Sequence, residues 1–292
     1  RSNTDDVTLL SGLTKAEVSR INATLSGNVT VAANHNASIH TLSTIVDIGG
    51  VGADVGLNID VIQDESNVET VLEQDSVQFT NNGSSSVAIS AKNNVSNDYE
   101  MYSVGASGVG ASVNGAISVG NSNSSVTVSV EDTSVGTSEK RAGDIAVTSD
   151  NTLTIKQYTW NNDISLIGGG EGLGVNVTTV DSTTAVSLAD SRLYASGNIM
   201  VNAVENRSAH NLNGNTMAGG LEATGVNVSV MTVGKEVQDR YTATTYTAEG
   251  EKAEIDSGAD LANAYAEGQD AVNGNTFQAD YTYGYVAADS AA

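Results

Sequence analysis

The three histidines are the first residues whose chemistry could define a site: His35, His40 and His210. A neutral imidazole can bind zinc or act as a general base. His35 and His40 are an odd number of positions apart, so on a strand they would point to opposite faces. His210 has no second histidine near it in the sequence. The spacing therefore predicts turn or surface histidines rather than a zinc or catalytic site.

A second candidate for chemistry is a calcium motif at Gly49–Val55, which begins like the nonapeptide G-G-x-G-x-D-x-U. Gly56 stands where that motif needs a large apolar residue. The position equivalent to Asp54 in the next copy of the repeat is Ser112. The sequence therefore does not predict a tandem calcium roll, and we expect no cofactor. Nonspecific Ca²⁺ binding to the acidic surface remains open.

Residues for polysaccharide cleavage are also sparse. Enzymes that cleave acidic polysaccharides need basic clusters or paired carboxylates in a groove, usually with aromatic subsites. Lys140 and Arg141 form the single adjacent basic pair and are more simply a charged turn. Trp160 stands alone, and we expect it to mark a coil insertion. Since phosphate-loop and nucleophile-elbow motifs are also absent, the sequence predicts that the chain is not an enzyme.

Composition excludes further classes of function. The chain of 292 residues has a net charge of −23 and contains neither cysteine nor proline. Nucleic acid and anionic lipid would repel such a chain. No stretch approaches the roughly 20 apolar residues of a transmembrane helix. We therefore expect neither nucleic-acid binding nor membrane insertion. The abundance of Val, Ser, Thr, Asn and Gly is typical of strands and turns.

An internal repeat is the strongest signal in the sequence. A strand opening with alternating apolar residues recurs at Gly27–Ala33, Val87–Ala91, Gly143–Val147 and Gly197–Ala203. A second block follows each opening, and its first two copies, Gly50–Val61 and Gly108–Val119, align at one constant offset throughout. A third block near Ser66, Ser125 and Asp190 completes the repeat. The sequence therefore contains about four copies of a unit of roughly 53–64 residues.

Strand spacing within the unit indicates the fold. Strands begin roughly 20 residues apart, which is too short for the ~30 residues of a βαβ unit, at Val29, Val51, Val68 and Val87. We therefore predict an all-β fold, a right-handed parallel β-helix with coils of roughly 20 residues. Some 14 or 15 coils would form a rod about 70 Å long at a spacing of about 4.8 Å. The runner-up is a β-sandwich array, whose hairpin turns could lie at Asn82-Gly83, Asn114-Gly115 and Asn213-Gly214.

The predicted domains are three: residues 1–26, 27–240 and 241–292. In residues 1–26, Thr14 and Glu17 have capping-box spacing and predict a short helix over 14–25, either an N-terminal cap over the first coil or a loop excursion. Residues 27–240 hold about four repeat units. From Tyr241 onward valine becomes scarce and tyrosine rises.

The tyrosines of the C-terminal segment are the candidate site residues: Tyr241, Tyr246, Tyr265, Tyr281, Tyr283 and Tyr285. Tyrosine offers apolar area with a polar tip, which suits a glycan platform or a subunit interface. The alternative is that these residues pack on the end of the chain's own shaft. Unpaired strand edges at the end of a solenoid would favour end-to-end assembly.

The repeat resembles those of filamentous-haemagglutinin-like and leukotoxin-like filamentous adhesins of diderm bacteria. The resemblance rests on the Val-Gly-Ala-Ser-Val run in Gly108–Val119 and on the openings Gly27–Ala33 and Gly197–Ala203, and covers about residues 27–240. It implies a right-handed β-helix shaft, export through an outer-membrane partner and a place at the cell surface. The chain lacks the amino-terminal secretion domain of that family, so we expect a processed product or an internal fragment.

Taken with the composition, the resemblance predicts an extracellular structural shaft of a cell-surface adhesin. Its partners would be further copies of itself, joined end to end or laterally, and a surface glycan or protein. The alternatives are a glycan-binding module that uses the Tyr-rich segment and, less favoured, a polysaccharide-degrading β-helix.

Overall fold

Strands account for almost all of the described backbone. The structure, a computed structural model, describes residues 2–220, 222–233, 243–246, 252–255, 276–278 and 284–287. Among these residues there is no helix, and therefore none long and apolar enough to cross a membrane. The strands in chain order are β1 (Ser2–Ser19), β2 (Asn22–Leu25), β3 (Val29–Val51), β4 (Asp54–Glu73), β5 (Ser76–Phe79), β6 (Val87–Val109), β7 (Ser112–Glu131), β8 (Ser134–Val135), β9 (Ile145–Ile167), β10 (Gly169–Ala189), β11 (Arg192–Tyr194), β12 (Ile199–Gly219), β13 (Glu222–Val233), β14 (Ala243–Tyr246), β15 (Lys252–Ile255), β16 (Thr276–Gln278) and β17 (Gly284–Ala287).

Three sheets are built from these strands in rotation. Sheet A has the order β1-β4-β7-β10-β13, sheet B the order β2-β5-β8-β11, and sheet C the order β3-β6-β9-β12. All neighbours within these orders are parallel. The sheets are stacked as in a right-handed β-helix. The predicted all-β parallel β-helix is therefore confirmed. The sandwich alternative is wrong, because successive strands of the repeat do not pair as hairpins.

The size of one coil differs from the prediction. Val61 pairs with Val119, and Val119 pairs with Val177. The same separation joins the amides of Asn93 and Asn151, which are 58 residues apart and hydrogen-bonded. The whole repeat unit is therefore one coil, whereas we expected three short coils in it. Long strands of 20–23 residues in sheets A and C explain the difference.

The stack is consequently short and wide. About four coils give a height of only about 20 Å along the axis of the solenoid. The long strands of sheets A and C give sides of about 65–75 Å at roughly 3.3 Å per residue. The solenoid is therefore a short stack of a few large coils and not the long rod of many small coils that the sequence predicts.

The corner between sheets A and B is set by one residue per coil in the left-handed region. These residues are Arg20, Gln74, Asp132 and Asp190, with φ between 46° and 59°. The side chains that follow Gln74, Asp132 and Asp190 each accept a backbone hydrogen bond from the coil before. The carboxylate of Asp75 accepts from the backbone N–H of Ile21 at 2.7 Å, and the hydroxyl of Thr133 accepts from that of Asp75 at 3.3 Å. A polar ladder therefore satisfies the backbone where the chain turns.

The corner between sheets C and A requires glycine. Gly52, Gly110 and Gly168 have φ of 109°, 131° and 140° and occupy the same position in successive coils. A Cβ atom on Gly110 would overlap the carbonyl oxygen of Gly52, and one on Gly168 would overlap that of Gly110. Gly168, the first of three consecutive glycines, takes this role in the third coil.

The apolar core fills the half of the coil that adjoins sheet B. It contains the inward side chains of the second halves of the sheet A strands, of sheet B, and of the first halves of the sheet C strands. Among its members are Val68, Val77, Val126, Val128, Ile89, Ile145, Val147, Leu188, Leu193 and Ile199, all buried. The repeated opening found in the sequence is therefore a core-forming strand, as its alternation predicted.

The other half of the coil has a polar interior. The inward residues there are mostly asparagine, aspartate, serine, threonine and glycine, and the side chains of sheets A and C interlock. Asn114 lies in the room left by Gly56 and Gly105, since a Cβ on either glycine would overlap its amide group. Buried members of this interior are Asn58, Asp60, Ser103, Ser118, Asn161, Asp163 and Asn176. The alternation of apolar residues thus changes phase within each long strand.

The helix predicted over residues 14–25 is wrong. Ser2–Ser19 pair with Gly56–Glu73 along their whole length, and Asn22–Leu25 pair with β5. Val18 and Leu25 pack against the apolar core. The parallel ladder satisfies the backbone of this segment, whereas a short helix is marginal by itself. The first domain boundary shifts accordingly, because the solenoid begins at β1 rather than at residue 27.

Candidate functional site

The strands of the first coil have one open edge each. Within the described residues, β1, β2 and β3 each pair with a strand of the next coil on one side only. Their other side presents backbone donors and acceptors without a strand partner. Unpaired edges of this length act as templates for a further strand. Because all three edges are open at the same end, one further coil would pair with each of them.

The opposite end of the solenoid differs because strands of the C-terminal segment return to it. β17 pairs antiparallel with Ala185–Leu188 of β10, and β16 pairs antiparallel with β11. β14 and β15 form an antiparallel pair of their own. An antiparallel strand interrupts a parallel ladder, since its hydrogen-bond pattern differs from that of a parallel pair. The two ends of the solenoid are therefore unlike.

The structure places two of the six predicted tyrosines. Tyr246 ends β14, and Tyr285 lies in β17 opposite Ser187. The other four, Tyr241, Tyr265, Tyr281 and Tyr283, lie outside the described residues. The predicted tyrosine face of the C-terminal segment therefore stays a prediction.

The stacking of coils brings one histidine to acidic neighbours. His40 pairs with Asp98 on the outer face of sheet C, and its Nδ1 lies 3.9 Å from the Asp98 carboxylate. The nearest atoms of His40, Asp98 and Glu100 all lie within 4.8 Å of one another. Sequence reasoning missed this group because it sought partners within the histidines. The offset of the repeat, which pairs position 40 with position 98, was the signal that could have found it.

An exposed aromatic pair lies next to this group. Tyr102 and Trp160 are paired neighbours on sheet C and are 37 % and 39 % exposed. The Tyr102 hydroxyl donates to Glu100 at 3.2 Å, and this carboxylate raises the pKa of Tyr102. Trp160 lies over Gly214, whose missing side chain leaves space for the indole. The coil insertion that we expected at Trp160 is wrong, since Trp160 has a regular position in β9.

The basic pair Lys140-Arg141 ties coils together. It lies between β8 and β9, as a charged turn should. The Lys140 ammonium donates to the carbonyl of Thr80 at 2.5 Å, and the Arg141 guanidinium donates to that of Ala195 at 3.2 Å. Each contact crosses from one coil to a neighbouring coil. The pair therefore joins neighbouring coils of the solenoid.

A buried ion pair lies in β12. Arg207 Nε donates to the Glu205 carboxylate at 2.6 Å, and both residues are at most 3 % exposed. Ser182 and Thr184 of the facing sheet A also donate to this carboxylate. In the coil below, Asn151 and Leu153 occupy the same two positions. The pair replaces an amide and an apolar residue at the end of the interior.

Tyr99 is a buried hydroxyl at the boundary of the polar interior. It is 1 % exposed, and its oxygen has no hydrogen-bond partner among the described residues. Burial raises the pKa of Tyr99 above its ordinary value, and the nearby carboxylates of Asp64 and Asp60 raise it further. The phenol is therefore held neutral in the folded state.

We expect Tyr99→Phe to raise the free energy of unfolding by about 1 kcal/mol, since it removes an unsatisfied buried hydroxyl. Because the folded pKa lies above the unfolded value of about 10, the phenol's contribution is complete below about pH 10 and is lost as pH rises further. The variant should therefore lose less stability than wild type above that pH. Urea denaturation at neutral and at alkaline pH measures both effects, and equal alkaline losses would contradict the assignment.

Comparison with known proteins adds no relationship. No protein-family model, no curated protein and no solved structure matches the chain.

Proposed function

We propose that the chain is a structural segment of a bacterial cell-surface adhesin, a shaft whose coils continue by end-to-end stacking. The observation that carries the proposal is the open edge of all three parallel sheets at the first coil. A coil placed before β1, from another copy or from a longer chain, would extend each ladder with the same strand spacing. The resemblance of the repeat to filamentous adhesins supports the placement at an extracellular surface.

The surface chemistry agrees with a structural role. A net charge of −23 keeps a long repeat protein soluble and repels nucleic acid. Ion pairs of the described residues join neighbouring coils, as in Lys92 with Asp150 at 3.3 Å and Lys15 with Glu69 at 4.0 Å. Stability of such a stack is approximately a sum over neighbouring coils. An added coil therefore stabilises the assembly by the same kinds of contact that hold each coil in the chain.

Negative-stain electron microscopy at several protein concentrations tests the stacking. We expect filaments whose axial repeat is about 20 Å per chain, from about four coils of about 4.8 Å each. Filaments should shorten on dilution, because end-to-end assembly depends on concentration. Isolated particles of constant size at every concentration would contradict the proposal.

A proline at the open edge provides the matched variant. Val29 donates its backbone N–H to Ser86 of the next coil, so the N–H groups of even-numbered residues in β3 point to the open edge. Ala32→Pro therefore removes an edge donor without breaking the ladder to β6. We expect this variant to fold and to form no filaments, while Ala32→Ser, which keeps the N–H, assembles like wild type.

A further inference from the structure

A block of aliphatic side chains covers the outer face of sheet A in the half of the coil that has the polar interior. We call it the apolar face. It spans β4, β7, β10 and β13 in three columns, with Val55 and Val113 beside them. The members of the columns are Leu57, Ile59, Val61, Ile117, Val119, Leu173, Val175, Val177, Val226, Val228 and Val230, with Gly115 between Leu57 and Leu173.

Leu173 and the β13 members of the apolar face are exposed, and its other members are half-buried. Leu173, Val226 and Val230 are 40 %, 51 % and 48 % exposed. The inward neighbours on the same strands are mostly polar or glycine, as in Asn58 and Asn176, which are both buried. Ala116 and Ile62 are the apolar exceptions. The usual arrangement of a sheet is therefore reversed here, since the apolar residues face outward. Isolated exposed apolar residues are common, but a continuous face of this kind marks a contact surface.

The dimensions of the apolar face suit a specific interface. Three columns across four strands, with Val55 and Val113 beside them, give fourteen positions of about 4.8 by 6.6 Å, or roughly 450 Å² in plan. Two such faces in contact would bury about 900 Å², which is close to the lower limit of about 1,000 Å² for a specific protein interface and indicates a weak dimer. The largest apolar patch of a monomeric protein is commonly about 300–600 Å² and is often functional.

We propose that the apolar face is covered by the same face of a second copy of this chain, in a side-by-side dimer. No charged side chain lies in the three columns between β4 and β13, and Glu171 only borders them beside Leu173. Two sheets of β-branched residues pack at about 10 Å, as in a β-sandwich. A two-fold dimer needs one patch that complements itself, and an uncharged aliphatic face does so.

Charge argues for this face and against a lipid surface. The net charge of −23 makes two copies repel each other over most of their surface, so contact is favoured where charge is absent. An anionic bilayer would repel the chain for the same reason. The dimer joins the sides of two solenoids and is independent of the proposed end-to-end stacking.

Sedimentation equilibrium of the full chain with Ala32→Pro, which blocks stacking, tests the dimer. We expect a monomer–dimer equilibrium whose dimer fraction rises with NaCl, because salt screens the repulsion between acidic copies. The triple variant Val119→Thr, Val175→Thr and Val177→Thr keeps the branched shape and exposes hydroxyls. Its dimer dissociation constant should rise at least tenfold, with unchanged far-UV circular dichroism.

A matched control replaces exposed aliphatic residues elsewhere. Met200→Thr with Val204→Thr changes side chains of sheet C that are 44 % and 36 % exposed. This control should dimerise like its parent. A parent that stays monomeric through the micromolar range, or a triple variant that dimerises equally well, would overturn the proposal.

Vesicle flotation distinguishes a lipid surface from a second copy of the chain as the partner of the apolar face. Phosphatidylcholine vesicles should not carry the chain to the top of the gradient. Flotation that is lost in the triple variant would overturn the dimer and assign the face to a lipid surface. If Ala32→Pro forms no filaments and keeps the dimer, both proposals are supported. If Ala32→Pro still forms filaments, the result counts against end-to-end stacking and not against the dimer.

Discussion

We expect the Arg207→Ala substitution to lower the free energy of unfolding by about 3–5 kcal/mol, because it leaves the Glu205 carboxylate buried without its charged partner. Both side chains are almost fully inaccessible, and the Nε of Arg207 lies 2.6 Å from that carboxylate. The hydroxyls of Ser182 and Thr184 still donate to Glu205, but they do not neutralise it. Urea unfolding followed by circular dichroism at neutral pH measures the loss.

Two controls separate the charge from the packing. Arg192, an exposed arginine of β11, should tolerate alanine with a change within about 0.5 kcal/mol. The double variant Glu205→Leu with Arg207→Met removes both charges and should be less destabilised than Arg207→Ala. A double variant as unstable as the single one would show that shape, rather than the uncompensated charge, governs this site.

We expect Gly110→Ala to lower the free energy of unfolding by about 1–3 kcal/mol from backbone strain alone. Gly110 has a φ of 131°, which side chains rarely adopt, and its Cβ would overlap the carbonyl oxygen of Gly52 in the coil below. The backbone N–H of Gly110 also donates to Ile167 at 2.7 Å, so a displaced corner weakens the contact with the next coil. Thermal unfolding should show the loss as a lower Tm.

Gly12→Ala is the matched control for Gly110→Ala. Gly12 lies in β1, has no atom within 4 Å of the position of its Cβ, and is not in the left-handed region. This variant should keep or slightly raise the Tm, because alanine loses less backbone entropy on folding than glycine. Equal destabilisation at both positions would contradict a strained corner at Gly110.

The fold class could be predicted from the sequence because repeat and alternation are local signals. The constant offset between Gly50–Val61 and Gly108–Val119 is the register in which β4 and β7 pair. The coil length could not be read in the same way. Spacing of strand starts shows where the apolar alternation changes phase, and we took each change of phase as a corner. In the structure, β7 continues through Gly120–Ser125 as one strand, and the phase change inverts which face is apolar.

The candidate sites were less predictable, because they depend on which residues stack. His40 and Asp98 are far apart in sequence and meet only through the register of β3 and β6. The helix expected over residues 14–25 followed local capping and spacing, but the ladder with β4 replaced that preference. The burial of Arg207 has no signal in the sequence. Its partner in the structure is Glu205, which lies two positions before it on the same strand.

Engineered disulfides test the large coil most directly, and the absence of cysteine gives a clean background. Asn36 and Asn94 are paired on the outer face of sheet C, where their side chains are hydrogen-bonded at 3.1 Å. We predict that Asn36→Cys with Asn94→Cys forms an intramolecular disulfide under mild oxidation, since paired strands hold Cα atoms within the disulfide range of about 4.4–6.8 Å. Asn36→Cys with Val55→Cys, the pair expected for a coil of roughly 20 residues, should stay reduced. Cross-linking of the second pair but not of the first would contradict the three-sheet solenoid.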